Sequence, residues 1–244
     1  MERRRFVSRL VSLAVQGSIL GAIFKRERAL AADYDASKHY YGMGIQVDKC
    51  IGCGRCAEAC KEENDVPKEP FFVRTWVERY AIKKDGEVVV QNIDRTTVAD
   101  MPGDRDTTRS FFVPKLCNQC DNPPCVQVCP VGATFKTDDG VILVDEDRCI
   151  GCRYCIQACP YGARYLHPEK GTADKCTFCY QRITKGLLPA CVEVCPTQAR
   201  IFGDVKLSAS PLTRFKRMNK LHVLKPFLNT EPKVLYSDLD GAVK

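Results

Sequence analysis

Apolar positions along this chain fall into short runs that name its elements before any chemistry is considered. An apolar stretch from about Leu10 to Phe24 lies near the N-terminus. Ile45 and Val47 predict a short strand ahead of residue 50. Phe71 to Ile82 and Val88 to Ile93 read as two strands joined by a turn at Asp85 and Gly86, and residues 99 to 110 read as a surface loop. ATFKT (133 to 137) and VILVD (141 to 145) flank Asp138, Asp139 and Gly140, which predicts a hairpin. Trp76, the single tryptophan, sits in an alternating strand and is expected in the core.

A five-residue unit recurs four times: Cys, an apolar residue, Glu or Gln, a small or β-branched apolar residue, Cys. It spans Cys56 to Cys60, Cys125 to Cys129, Cys155 to Cys159 and Cys191 to Cys195. Residues i and i+4 share one face of a helical turn, so each unit presents two sulfurs on one side and turns its polar residue away. Three of the turns run on as Cys-Pro, two residues and Ala (CPVGATF, CPYGARY, CPTQARI), whereas Cys60 is followed by Lys61 and leads into a different local structure.

The units belong to four quartets that absorb all sixteen cysteines: 50 to 60, 117 to 129, 149 to 159 and 176 to 195. CIGCRYCIQACP has the bacterial-ferredoxin pattern, in which three thiolates hold one [4Fe-4S] cluster and the fourth, here Cys159, ligates its neighbour. Sixteen ligands make four clusters at four thiolates each. Disulfides are a poor alternative, since three thiols lie within residues 50 to 56 and a disulfide needs its own Cα separation. Zinc is a rival for residues 176 to 195 alone, where Cys-x2-Cys and Cys-x3-Cys could form a tetrahedral site. The helical turns and the hairpin between the second and third quartets have a two-cluster ferredoxin layout. Quartets two and three are therefore expected in one module and quartets one and four in a second that encloses it.

The formal net charge of +7 is concentrated at the start: residues 1 to 31 carry seven Lys or Arg against two acidic residues, which leaves +2 for the rest and implies no nucleic-acid partner. Arg3, Arg4 and Phe6 precede the apolar stretch, and Ala29-Leu30-Ala31 supplies small residues at a cleavage position. This resembles a twin-arginine export signal. The stretch is shorter than the ~20 residues of a spanning helix. Export of folded protein suits a chain whose clusters are inserted before export. Residues 204 to 244 hold eight Lys or Arg and four acidic residues with no apolar run, and read as a solvated or partner-bound extension. His39, His167 and His222 are scattered and carry no haem signature.

With these spacings, including the wide interval between Cys179 and Cys191, the chain resembles the four-cluster electron-transfer subunits of molybdopterin oxidoreductases, among them dimethyl sulfoxide, polysulfide and tetrathionate reductases. LCNQCDNPPCVQVCPVGATF, ADKCTFC and GLLPACVEVCP look most like the tetrathionate branch. The resemblance is strong from residue 43 to about 205. It implies crossed ligand sets: Cys50, Cys53, Cys56 and Cys195; Cys60, Cys176, Cys179 and Cys191; Cys117, Cys120, Cys125 and Cys159; and Cys129, Cys149, Cys152 and Cys155.

The expected fold is α+β: two bacterial-ferredoxin-like two-cluster modules related by a pseudo-twofold, with a β insertion and a C-terminal tail. The expected divisions are 1 to 31 (signal), 32 to 110 (first half of the outer module and the insertion), 111 to 170 (inner module), 171 to 203 (second half of the outer module) and 204 to 244 (partner-binding tail). No Ser/His/Asp set, P-loop or dinucleotide fingerprint accompanies the cysteines, so catalysis is expected on a partner. The resemblance implies a molybdopterin catalytic subunit and a polytopic quinone-reactive membrane subunit, on the periplasmic face of the inner membrane. The iron-sulfur subunit of a periplasmic hydrogenase or of a sulfite-metabolism complex, and a free polyferredoxin, are the rival expectations.

Overall fold

The computed structural model describes residues 34–93 and 106–243. The expected export signal and residues 99–105 of the expected loop lie outside the described residues. The strand around Ile45 is β1 (Tyr41–Gln46), buried from Tyr41 to Ile45 because it is an interior strand of a four-stranded sheet. β9 (Arg200–Asp204) runs antiparallel on one side of it, β11 (Val234–Ser237) parallel on the other, and β10 (Leu221–His222) completes the order β10-β11-β1-β9. Met43 faces Phe202 in one neighbour and Val234 in the other. β1 leads into Cys50 and β9 leaves Cys195, so this pairing sets the first and fourth quartets side by side.

α6 (Pro211–Met218) packs on that sheet. Ser210 caps it, its Oγ accepting from the Thr213 N–H at 3.1 Å, and Pro211 takes the first helical position, where no N–H is needed. The helix buries Leu212 and Phe215. Their seat is made by two strand glycines: a Cβ on Gly44 would stand 2.5 Å from the Phe215 ring, and one on Gly42 2.9 Å from Leu212 Cδ2.

This placement corrects the solvated alternative in the reading of residues 204 onward as a solvated or partner-bound extension. β11 is part of the core, with Val234 and Tyr236 fully buried. The segment between α6 and β11 straps the second and third quartets: Lys225 Nζ donates to Pro160 O at 2.8 Å, Asp121 N to Glu231 O at 2.9 Å and Lys233 N to Asn118 O at 2.9 Å. The tail's apolar residues lie singly or in runs of two or three, such as Val234-Leu235-Tyr236, too short to stand out against its eight Lys and Arg.

The insertion is an antiparallel sheet, β2 (Thr75–Lys83), β3 (Val88–Ile93) and β4 (Thr107–Leu116), in the order β3-β2-β4. β4 starts inside the expected loop because Thr107 and Arg109 pair with Lys83 and Ile82. Trp76 is half-buried against the core and donates its Nε1–H to Glu78. The expected hairpin is β5 (Thr134–Lys136) with β6 (Ile142–Val144), and β7 (Arg164–Leu166) pairs with β8 (Ala173–Lys175). α1 (Arg55–Glu63) packs against α5 (Ala190–Glu193), α2 (Pro124–Gln127) against α3 (Tyr154–Gln157), and α4 (Tyr180–Ile183) follows Cys179. The result is α+β with two ferredoxin-like dicluster modules. Among the described residues no helix is long and apolar enough to cross a membrane.

Candidate iron-sulfur sites

The Cys-x2-Cys loops that open the four quartets share a backbone device. The residue before the second cysteine has positive φ in every one: Gly52 (+70°), Gln119 (+46°), Gly151 (+67°) and Phe178 (+56°). A left-handed residue there reverses the chain and turns consecutive sulfurs inward. Glycine adopts it freely, while Gln119 and Phe178 carry a cost on the order of 1–3 kcal/mol that surrounding contacts must hold. Gln119 is pinned at both ends of its amide: Nε2 donates to Cys176 O at 2.6 Å, and Oε1 accepts from Ile142 N at 2.7 Å. Phe178 is fully buried, edge-on to Phe202.

The Cys-Pro turns use a second device. Proline needs no N–H at the first position past the cysteine, and the following amides point back to the sulfur as an anion-binding nest. Burial raises the Cys129 thiol, but hydrogen bonds from the Thr134, Val131 and Ala133 amides together outweigh it and hold Cys129 below the usual thiol range. Cys195 is shifted the same way: burial opposes, and donors from Thr197, Ala199 and Arg200 prevail. At Cys159 burial wins and the thiol is raised, although the Tyr161 and Ala163 amides donate. Cys60 has no such turn. α1 instead continues to Glu63, and Asn64 Nδ2 reaches both Cys60 Sγ and Cys179 Sγ at 3.5 Å. Asn64 is itself held by Arg74, which is paired with Asp174.

Cavities gather thiols from distant quartets. One is lined by Cys50, Cys53, Cys56 and Cys195, and another by Cys60, Cys176, Cys179 and Cys191. Burial first, then the neighbouring thiols of Cys117, Cys125 and Cys159, push the Cys120 thiol up to about 12. Of the remaining four, Cys149 and Cys155 pack in one small apolar cluster, whereas Cys152 is exposed and Cys129 half-exposed. None of the sixteen cysteines is disulfide-bonded. A single zinc ion needs sulfurs about 2.3 Å from one point, and among the described residues no three Cys, His, Asp or Glu side chains converge that closely. The thiols of the first two sets stand around hollows instead, as a cubane requires.

Two buried arginines face these sulfurs. Arg164 Nη2 donates to Cys125 Sγ at 3.1 Å, and Arg200 Nη2 to Cys56 Sγ at 3.4 Å. Neither forms an ion pair with a carboxylate among the described residues: Asp174 pairs with Arg74, Glu78 with Lys115, and Asp121 with Lys136 and Lys233. Arg200 Nη1 is buried without a hydrogen-bond partner. Isolated buried cations are expensive, so donors aimed at thiols call for a strongly anionic occupant, and a four-thiolate iron-sulfur cluster fits. Both arginines stand five residues after a Cys-Pro cysteine, in CPYGAR and CPTQAR. That repeat is a readable signal which the cysteine pattern overshadows. Gln119 and Lys175, the latter also buried, leave no signal of this kind.

Residues 49–133 and 108–205 each match a 4Fe-4S dicluster domain family model. The chain is 46% identical to the B subunit of tetrathionate reductase from Salmonella typhimurium over 84% of its own length and 75% of that protein. It is 38% identical to the B polypeptide of polysulfide reductase from Wolinella succinogenes over 80% and 92% of the two sequences, and 35% identical to protein NrfC of Escherichia coli over 95% and 93%. On these likenesses the chain plainly belongs to the family of 4Fe-4S dicluster iron-sulfur subunits of reductase complexes, in which those tetrathionate and polysulfide reductase subunits stand.

Proposed function

We propose that the chain holds four [4Fe-4S] clusters in a row, in the crossed sets named above, and passes single electrons between a molybdopterin catalytic subunit and a polytopic quinone-reactive membrane subunit. We place it on the periplasmic face of the inner membrane, exported folded through Arg3, Arg4 and Phe6.

The observation that carries this reading is a gradient of burial along the sets. The second set (Cys60, Cys176, Cys179, Cys191) is wholly buried, and in the third only Cys159 is partly open. The first set is partly open at Cys50, Cys53 and Cys195, and the fourth at Cys129, Cys149 and Cys152. A buried middle with two accessible ends suits a conductor that receives charge at one face and delivers it at the other. Apolar residues stand exposed at those ends: Ile51 beside Cys50, and Ile150 (65% exposed) and Tyr154 around Cys152. Such residues suit covered, partner-bound faces better than free diffusion. When bound, the clusters supply one-electron chemistry. The chain's own part is to fix the thiolates, exclude water from the middle sets and donate hydrogen bonds to sulfur. The relatives are subunits of tetrathionate and polysulfide reductases, which supports a catalytic partner.

Anaerobic purification from membranes tests the reading. A stable complex with sixteen iron atoms per chain is expected, and a monomeric soluble red-brown protein would refute the subunit role. Cys159→Ser tests the crossing: spin-resonance spectra should lose the cluster led by Cys117 and keep the one led by Cys149. Replacing Arg3 and Arg4 by Lys should leave the folded protein in the cytoplasm.

A further inference from the structure

Three buried cations lie at the intervals between successive sets. Arg200 belongs to the first interval: besides Cys56 of the first set, its Nη2 donates to Thr75 Oγ1 at 2.8 Å, and Thr75 lines the cavity of the second. Its positive charge also acts on Cys191 of the second set. Lys175, fully buried, belongs to the interval between the modules. Its Nζ donates to Cys176 O at 2.9 Å, in the second set, and to Ile142 O, whose residue packs against Cys125 of the third. Arg164 belongs to the last interval. Nη2 donates to Cys125 Sγ at 3.1 Å, and Nη1 to Thr134 Oγ1 at 3.3 Å, while the Thr134 N–H reaches Cys129 Sγ of the fourth set at 3.5 Å.

A cluster ligated by four thiolates is anionic and gains a further negative charge when it takes an electron. A fixed positive charge beside it favours the reduced form, and the effect is large where water is excluded. A cation in the gap acts on both neighbours and offsets the repulsion between electrons held on adjacent clusters. We propose that Arg200, Lys175 and Arg164 are positioning residues for charge, one in each gap of the row, and that each raises the reduction potentials of the two clusters it separates. The inference rests on the four-cluster reading above. It adds that the potentials are set pairwise, so that no single step in the row is isolated from its neighbour.

Potentiometric titration followed by spin resonance tests this on the intact iron-loaded complex, with each signal assigned through the cysteine variants. Wild-type protein with sixteen irons and four signals upholds the cluster reading; fewer would fail that reading before the inference is reached. In that background Arg200→Gln should lower the potentials of the first and second clusters, Lys175→Met those of the second and third, and Arg164→Gln those of the third and fourth. The expected shift is at least tenfold in the reduced-to-oxidised ratio at fixed ambient potential, about 59 mV for a one-electron couple, with the other two clusters unmoved. A shift confined to one cluster, or none, overturns the proposal. Where a neutral variant binds less iron than wild type, Arg200→Lys and Arg164→Lys decide. Full iron with unshifted potentials upholds a role for charge, and iron loss in these variants as well assigns the residues to packing and overturns it.

Discussion

The two modules use the same cysteine turns but close over very different stretches of chain. In the inner module the turns that begin at Cys125 and Cys155 are joined by the β5–β6 hairpin, and α2 meets α3 with only that hairpin between them. In the outer module the turns at Cys56 and Cys191 are separated by the β2–β4 insertion and by the whole inner module. Length alone does not forbid this, since each doubling of a loop costs only about 0.6 kcal/mol. The difference lies in what holds the ends together. A hairpin does so locally, whereas the outer module relies on β1 against β9, on α1 against α5, and on α6 and β11 from beyond the last cysteine. One module is built by its own sequence and the other by residues far from any ligand.

Removing the iron should have the largest effect and break the comparison most directly. With a chelator and reductant both modules should lose structure, the outer one first, because its thiolates tie segments that nothing local joins. Hydrogen exchange should show the amides of Met43 and Phe202 released before those of Phe135 and Leu143, and simultaneous release would contradict the contrast. Phe215→Ala comes next, at about 3–5 kcal/mol for an emptied aromatic site. Denaturant titration should bleach the first and second clusters ahead of the third and fourth, although Phe215 is seated on Gly44 of β1 rather than within a quartet. Gln119→Ala should cost roughly 1–3 kcal/mol, since Ile142 N is left buried without its acceptor and Cys176 O keeps only Lys175. Its signature is a lower unfolding midpoint with a broader transition. Ser210→Ala removes a single cap and should cost about 1 kcal/mol by thermal melting, with cluster spectra unchanged.

Several elements are legible in the sequence because their signals are local. The hairpin at residues 133 to 145 declares itself through alternation on either side of Asp-Asp-Gly, and β1, β2 and β3 through short apolar runs. The start of β4 at Thr107 is not, because its first residues are polar and are strand only by pairing with Lys83 and Ile82. The tail reads as solvated for a related reason. Leu212 and Phe215 are single apolar positions in a basic stretch, Val234 and Tyr236 belong to a run of only three, and only the glycine-lined face of β1 and the free edge beside it convert them into core.

At the sites the same division holds. Sixteen cysteines at these spacings determine the kind of group bound and the helical turns that present it, because thiolate reach along a loop is a property of a few consecutive residues. The left-handed residues at Gln119 and Phe178, the cation Lys175, and the gradient from buried middle to open ends were decided by tertiary structure alone, while Arg164 and Arg200 repeat in the sequence but meet their sulfurs only in the fold. A strained backbone angle and an unpaired buried charge are tolerable only when contacts from distant segments meet there, and no stretch of sequence contains those contacts by itself.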